Sequence, residues 1–363
     1  MRALRSATTG RTARVAAVGL AATAAVGCSL VLTFPDYVGE ACQARRWPDK
    51  PAASTTGGST ELVGVVRTFS FISSAPKPGR PPALGLDLDG LCTCPEPAAC
   101  RPPPGRDAPC DVSGTGIDNA AGKLLGALFP SNPVPQDEDA INSLDVTKGG
   151  LLIRLQGYNG RPDDADVTVS LYNVVGLVGD DGGASPRFDG NDAFAVDQQQ
   201  LLAAGSLGSR FNDTAAYVKD NVLVATLDVD LRFVLPESMG PAAGMVAYMP
   251  LKSARLVGRI EAAGSGLRMR GAQIAGRMPI PRILEEISRL GLCPGSPAYA
   301  NAKTAACNSV DLPQDSRRDG TSAACDALSI AVGLEVVPGK LGGSVDAGTP
   351  PSPCGDLPPD SCK

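Results

Sequence analysis

Residues 111–292 contain no cysteine although the chain has eleven, and within this 182-residue interval apolar and polar residues alternate with the period of a strand. The clearest run is 223–235. Leu223, Ala225, Leu227, Val229, Leu231, Phe233 and Leu235 fall on one face, and Thr226, Asp228, Asp230 and Arg232 on the other. A period of two held this long excludes a helix and predicts an antiparallel strand that is wet on one side. Residues 150–156 and 166–178 are Val/Leu-rich in the same manner, 251–261 and 266–274 read as a hairpin with its arginines outward, and 328–336 reads as a last strand. Asp220-Asn221 supplies a turn signal ahead of the longest run. A sheet core that folds without internal staples follows, with the cysteines confined to its two ends.

Composition agrees with a β-rich, loop-rich protein. Of 38 acidic residues 29 are Asp, which favours turns and caps, and the chain carries 42 Gly and 32 Pro. Two short helices interrupt the late sheet. Pro281 in a first turn, apolar Ile283, Leu284, Ile287 and Leu290, and Gly291 as a stop define one; 297–307 is a weaker second. Another helix is predicted from Asp118 to Phe129. No repeat occurs at a fixed period, so propellers and solenoids are disfavoured. The expected fold is mainly β: a single antiparallel β-sandwich, jelly-roll-like, over 61–337, with a few short helices and disulfide-stapled loops.

The N-terminus addresses the chain to a membrane. Arg2, Arg5, Arg11 and Arg14 precede an apolar stretch at 15–26, and Ala25-Val26-Gly27 leads into Cys28. Twelve apolar residues are too few to span a bilayer. The pattern resembles a bacterial lipobox, which implies a signal peptide over 1–27, cleavage before Cys28 and acylation of its thiol. Cysteine parity supports this. With Cys28 carrying lipid, the ten that remain (Cys42, Cys92, Cys94, Cys100, Cys110, Cys293, Cys307, Cys325, Cys354 and Cys362) can pair completely in an oxidising envelope. Cys92-Thr93-Cys94, Cys100 and Cys110 form a Cys-rich insertion at 91–111; its spacing lacks the C-x₂-C pairs of zinc sites and predicts local disulfides. A Cys293 to Cys307 bridge would staple the second helix, and Cys354 to Cys362 would order part of the Pro/Gly-rich tail at 338–363. Residues 28–60 are small and polar toward their end and read as a lipidated tether.

Inventory excludes several chemistries. There is no histidine, so Ser-His-Asp and Cys-His hydrolases, HExxH metalloproteases and His-ligated metals are ruled out. Removing the signal leaves 29 basic against 38 acidic residues, a formal charge of −9 with no basic run, which disfavours nucleic acid. A carboxylate-based glycoside hydrolase needs only Asp and Glu, but a single tryptophan, Trp47, offers little ring surface for sugars. Oxygen-rich turns are the remaining ligand idea. Asp87 and Asp89, Asp164 and Asp166, and Asp189 and Asp192 are of the type calcium uses, although none forms an EF-hand loop and solvated Asx-turns explain each alone. No other cofactor is expected.

The strings Leu86-Asp87-Leu88-Asp89-Gly90-Leu91-Cys92-Thr93-Cys94, Gly116-Ile117-Asp118-Asn119-Ala120, Gly150-Leu151-Leu152-Ile153-Arg154 and Cys325-Asp326-Ala327-Leu328-Ser329 resemble uncharacterised cysteine-rich lipoproteins of myxobacteria. The resemblance implies lipid anchorage in a Gram-negative envelope, at the outer membrane, and no activity. The expected function is therefore non-enzymatic: an acyl-anchored β-domain that binds an envelope protein or surface polysaccharide, with calcium or glycan binding as the alternative and a glycoside hydrolase third.

Overall fold

In a computed structural model, residues 46–52, 58–70, 84–93, 98–106, 111, 116–121, 124, 149–179, 185–203, 206–234, 244–263, 266–355 and 360–362 are described. They belong to one compact unit, Leu32–Lys363. The predicted signal peptide, Cys28, Cys42, Cys94, Cys110, Leu235 and all but a few residues of the helix expected at 118–129 lie outside the described residues.

Ten strands follow in chain order: β1 Thr60–Ser70, β2 Gly150–Tyr158, β3 Asp164–Leu177, β4 Ala193–Asp197, β5 Phe211–Lys219, β6 Val222–Val234, β7 Val246–Ala263, β8 Gly266–Pro279, β9 Ala327–Pro338 and β10 Lys340–Val345. Two helices, α1 Ile280–Arg289 and α2 Pro297–Asn308, separate β8 from β9. The sheet runs β3-β2-β1-β9-β8-β7-β6-β5, every neighbour antiparallel, and β5 pairs back onto β3. An eight-stranded barrel results. The β-sandwich expectation is therefore wrong, and the reason is physical: alternation fixes which face of each strand is buried but not whether the sheet's last strand meets its first. Here β5 pairs with β6 only over 217–219 and gives its remaining length to β3, and that switch closes the sheet.

The barrel has a filled interior. Leu223, Ala225, Leu227, Val229, Leu231 and Phe233 of β6 all join the principal core, as the alternation predicted. Eight strands leave an interior just wide enough for side chains. Phe69 of β1 and Phe233 of β6, on strands opposite one another around the barrel, meet edge to face with centroids 5.1 Å apart. Ile280, Ile283, Leu284 and Ile287 of α1 continue the same core.

Closure is completed by side chains where β5 leaves β6. Asp213 of β5 accepts from the Thr226 N–H at 2.6 Å. Asn173 of β3, 1 % exposed, donates to the Asp230 carbonyl at 2.8 Å and accepts from the Arg232 N–H at 3.1 Å. One amide thus satisfies two buried backbone groups that no strand reaches. The hairpin between β5 and β6 turns on Asp220 and Asn221, with φ of 51° and 63°, as a two-residue turn with both central residues left-handed requires.

In β1 a bulge between Val66 and Thr68 turns the strand, so Phe69 points into the barrel and Val65 outward. Outside the wall a second apolar cluster forms. Val65, Leu152, Tyr172 and Val174 are covered by Phe194 and Val196 of β4 and by Leu201, with β10 beside β4 in parallel.

The disulfides reach farther than expected. Cys100 joins Cys325, Cys293 joins Cys354 and Cys307 joins Cys362, with sequence separations of 225, 61 and 55. Neither the Cys293 to Cys307 nor the Cys354 to Cys362 bridge forms. The 338–363 tail is consequently part of the domain: β10 extends the sheet, both late bridges fasten the tail beside α1 and α2, and Asp360 binds Tyr299 and Lys303 at 2.8 Å each. Cys92 is also disulfide-bonded, to a partner outside the described residues.

Candidate carboxylate site on the barrel wall

Segments 46–50 and 84–91 cover the outer face of β5 to β9, where Leu86, Tyr217, Val224, Val257, Ala275 and Ala331 form a third apolar cluster with Trp47 against it. The tether expectation thus ends early. Arg255 stacks on Trp47 at 4.4 Å, and the Tyr217 hydroxyl donates to the Pro48 carbonyl at 2.5 Å. The second segment is held from below. Gln273 accepts from the Gly85 N–H at 3.1 Å, and Arg277 donates to the Leu88 carbonyl at 2.9 Å.

Leu86 makes a bridge with Asp118, and this sets Asp118 beside the Asp87-Leu88-Asp89 turn. Carboxylate oxygens of Asp87, Asp89 and Asp118 lie within 4.8 Å of one another. Each is oriented by backbone. Asp87 accepts from the Gly90 N–H at 2.6 Å, Asp89 from Leu91 N–H at 2.8 Å and Asp118 from Leu88 N–H at 2.6 Å. Among the described residues Arg46 is the cation paired with this group, with Nε 2.7 Å from Asp87 and Nη2 donating to the Gly90 carbonyl at 2.8 Å. The second oxygen of Asp89 is buried without a hydrogen-bond partner.

Burial pushes the Asp89 carboxyl up to about 7, with the Leu91 N–H opposing and the neighbouring carboxylates of Asp111, Asp87 and Asp319 adding to the rise. Asp118 is pushed well above its ordinary range by burial and then by Asp89, Asp311 and Asp111. Such a group of oxygens has the chemistry to take up a proton or a hard cation.

The other aspartates expected from the sequence are not brought to this place. Asp164 accepts from Asn159 N–H at 2.8 Å and Asp166 N–H at 3.2 Å, and Asp166 faces Lys50 at 3.4 Å. Asp189 accepts from Asn191 N–H at 2.9 Å and Asp192 from Phe188 N–H at 2.6 Å. Asp164, Asp189 and Asp192 thus close local turns, and Asp166 makes an exposed ion pair. Among the described residues, Asp87, Asp89 and Asp118 are the grouping with metal-ligand spacing. The sequence marks neither Asp118 nor Arg46 as a site residue: Asp118 stands at the start of the expected helix, and nothing in the spacing of residues 46, 87 and 118 shows them to be neighbours.

A second group of buried carboxylates has a different arrangement. Asp230 and Glu286 are both pushed up by burial, and they belong to an ion chain in which Arg282 links Asp230 (3.7 Å) to Glu285 (2.9 Å), and Arg289 links Glu285 (2.8 Å) to Glu286 (3.3 Å). Glu286 also accepts from the Tyr248 N–H at 2.9 Å. Each carboxylate faces an arginine, and the chain fastens α1 to β6 and β7.

Comparison with protein-family models, with curated proteins and with solved structures finds no match for this chain.

Proposed function

We propose that the chain is a non-enzymatic envelope lipoprotein whose barrel, carried on an acylated Cys28, binds an envelope protein or surface polymer through its outer wall. The filled interior carries this reading: among the described residues Phe69 meets Phe233 across the barrel within one continuous apolar core, which favours recognition on the outside. The lipobox pattern at 25–28 and the resemblance to myxobacterial lipoproteins support the anchor. Two or three acyl chains hold a protein on a bilayer where one does so weakly. Radioactive palmitate fed to expressing cells should label the wild type and not Cys28→Ala. Equal labelling would sink the anchor.

A second reading, calcium binding, is favoured by one observation: three convergent carboxylates, one with a buried oxygen that nothing satisfies. Calcium would compete with Arg46 for Asp87. Titration calorimetry on the chelator-treated protein should show heat with wild type and at least tenfold weaker binding with Asp89→Asn. No heat and an unchanged melting temperature on adding calcium would remove this reading.

A further inference from the structure

Leu202 is 62 % exposed and Leu207 43 %; among the described residues Val178 and Val345, at 53 % and 52 %, are the other large apolar side chains so exposed. Both leucines lie within residues 198–209, twelve consecutive residues without a charge, bounded by Asp197 and Arg210. Hydrogen bonds hold the described residues on both sides of 204–205. Leu201 and Ser209 pair at the base of this segment, the Leu202 N–H donates to the Gly208 carbonyl at 2.8 Å, and the Arg210 N–H donates to the Gln200 carbonyl at 2.8 Å. The Ser209 hydroxyl donates to the Leu171 carbonyl at 2.6 Å, and the Tyr172 hydroxyl to the Leu207 carbonyl at 2.6 Å. The backbone is fastened to β3, and both leucine side chains stay exposed, that of Leu202 lying beside Gly208.

We infer that Leu202 and Leu207 form a membrane-docking tip that inserts shallowly into the headgroup region of an anionic bilayer. Three observations select a lipid surface over a protein. Two leucines are far too little area for a protein interface, which needs roughly 800 Å² per partner, but suit shallow insertion. Arg210 is exposed at the base of the tip, with its Nε on the Leu201 carbonyl at 3.1 Å and its guanidinium placed to meet phosphate, and no acid occurs within the twelve residues, Asp346 touching them only through Gln199 at 3.1 Å. Chain length supplies the third. Arg46 is the first described residue and lies 18 residues from Cys28, so the connection reaches at most about 60 Å. On the anchor reading proposed above, the barrel never leaves the membrane's vicinity, and weak insertion suffices because it is intramolecular.

The test uses the unlipidated Cys28→Ser chain, so that its result does not depend on the anchor; acylation of Cys28 is read separately from the mass of the N-terminal peptide. Wild-type sequence at 202 and 207 should co-sediment with vesicles containing phosphatidylglycerol. The double variant Leu202→Asp, Leu207→Asp should partition at least tenfold less while melting normally, because both side chains are exposed. Arg210→Glu should weaken binding to anionic vesicles and leave binding to phosphatidylcholine vesicles unchanged. In Leu202→Trp the added emission should shift to the blue on vesicle addition. Equal partitioning of the double variant and its parent would overturn the inference, as would a dimer in sedimentation velocity that the same double variant abolishes, since the leucines would then cover a second copy.

Discussion

Replacing Arg277 by Met should destabilise the protein by about 3–5 kcal/mol, the cost of breaking a buried ion pair from one side. Arg277 of β8 is 1 % exposed and binds Asp319 through both terminal nitrogens, at 2.8 and 2.7 Å. It also donates to the carbonyls of Leu88 at 2.9 Å and Pro313 at 3.3 Å. One guanidinium therefore fastens two coverings, 84–91 and 311–326, to the barrel wall. Met keeps most of the volume, so the loss isolates the charge and its hydrogen bonds. Lysine should fail nearly as badly, because it lacks the planar fork that meets a carboxylate at two points. In the double variant Arg277→Met, Asp319→Leu the unpaired charge is gone and most of the stability should return. Chemical denaturation of the four proteins reads the coupling directly. A single-variant loss under about 1 kcal/mol would show that the coverings are held by something else.

Arg277 also shows where the sequence is legible and where it is not. Its strand was expected to end near 274 with arginines facing solvent. By period it does face away from the barrel, but the coverings make that outward face a second interior. Alternation reports the side of a strand, and the barrel has apolar residues on both sides wherever a loop returns to cover it. The β6 pattern, the turn at Asp220-Asn221 and the α1 boundaries were readable because each signal is local: side-chain period, left-handed backbone, and proline and glycine at the helix ends. Barrel closure was not, because it depends on β5 exchanging β6 for β3 and on Asn173 bridging the gap that exchange leaves. Disulfide partners failed for the same reason. Cys100 and Cys325 are 225 residues apart and adjacent only once the segment around residue 101 pairs with the one around 324. Of the candidate site, Asp87 and Asp89 were readable as an oxygen-rich turn, whereas Asp118 arrives through its bridge to Leu86.

Stability should be highest near pH 5 and fall as the pH rises toward 8. Glu286 of α1 dominates this expectation. Burial pushes its carboxyl up to about 7 from an ordinary 4.5, against the pull of the Tyr248 N–H and Arg289. In the unfolded chain the group ionises near 4.5, so between about 4.5 and 7 the folded state holds the proton that the unfolded state has lost. Stability must then decline with rising pH across that window and level off above it, by on the order of 2–3 kcal/mol for this group alone. Asp89 acts in the same direction, since its carboxyl is also held near 7. The opposing groups work lower on the scale. Asp163, Asp315 and Asp360 are held below the usual carboxylate range by hydrogen bonds and cations, and their contribution is lost only as the pH falls below about 4. Glu286→Gln keeps an oxygen for the Tyr248 N–H and removes the ionisation, so it should raise the melting temperature at pH 8 and flatten the profile between 5 and 8. Calorimetric melting at unit steps of pH decides the matter. A wild type that melts higher at pH 8 than at pH 5 would mean that the Arg289 ion pair outweighs burial and that Glu286 is charged in the folded protein throughout.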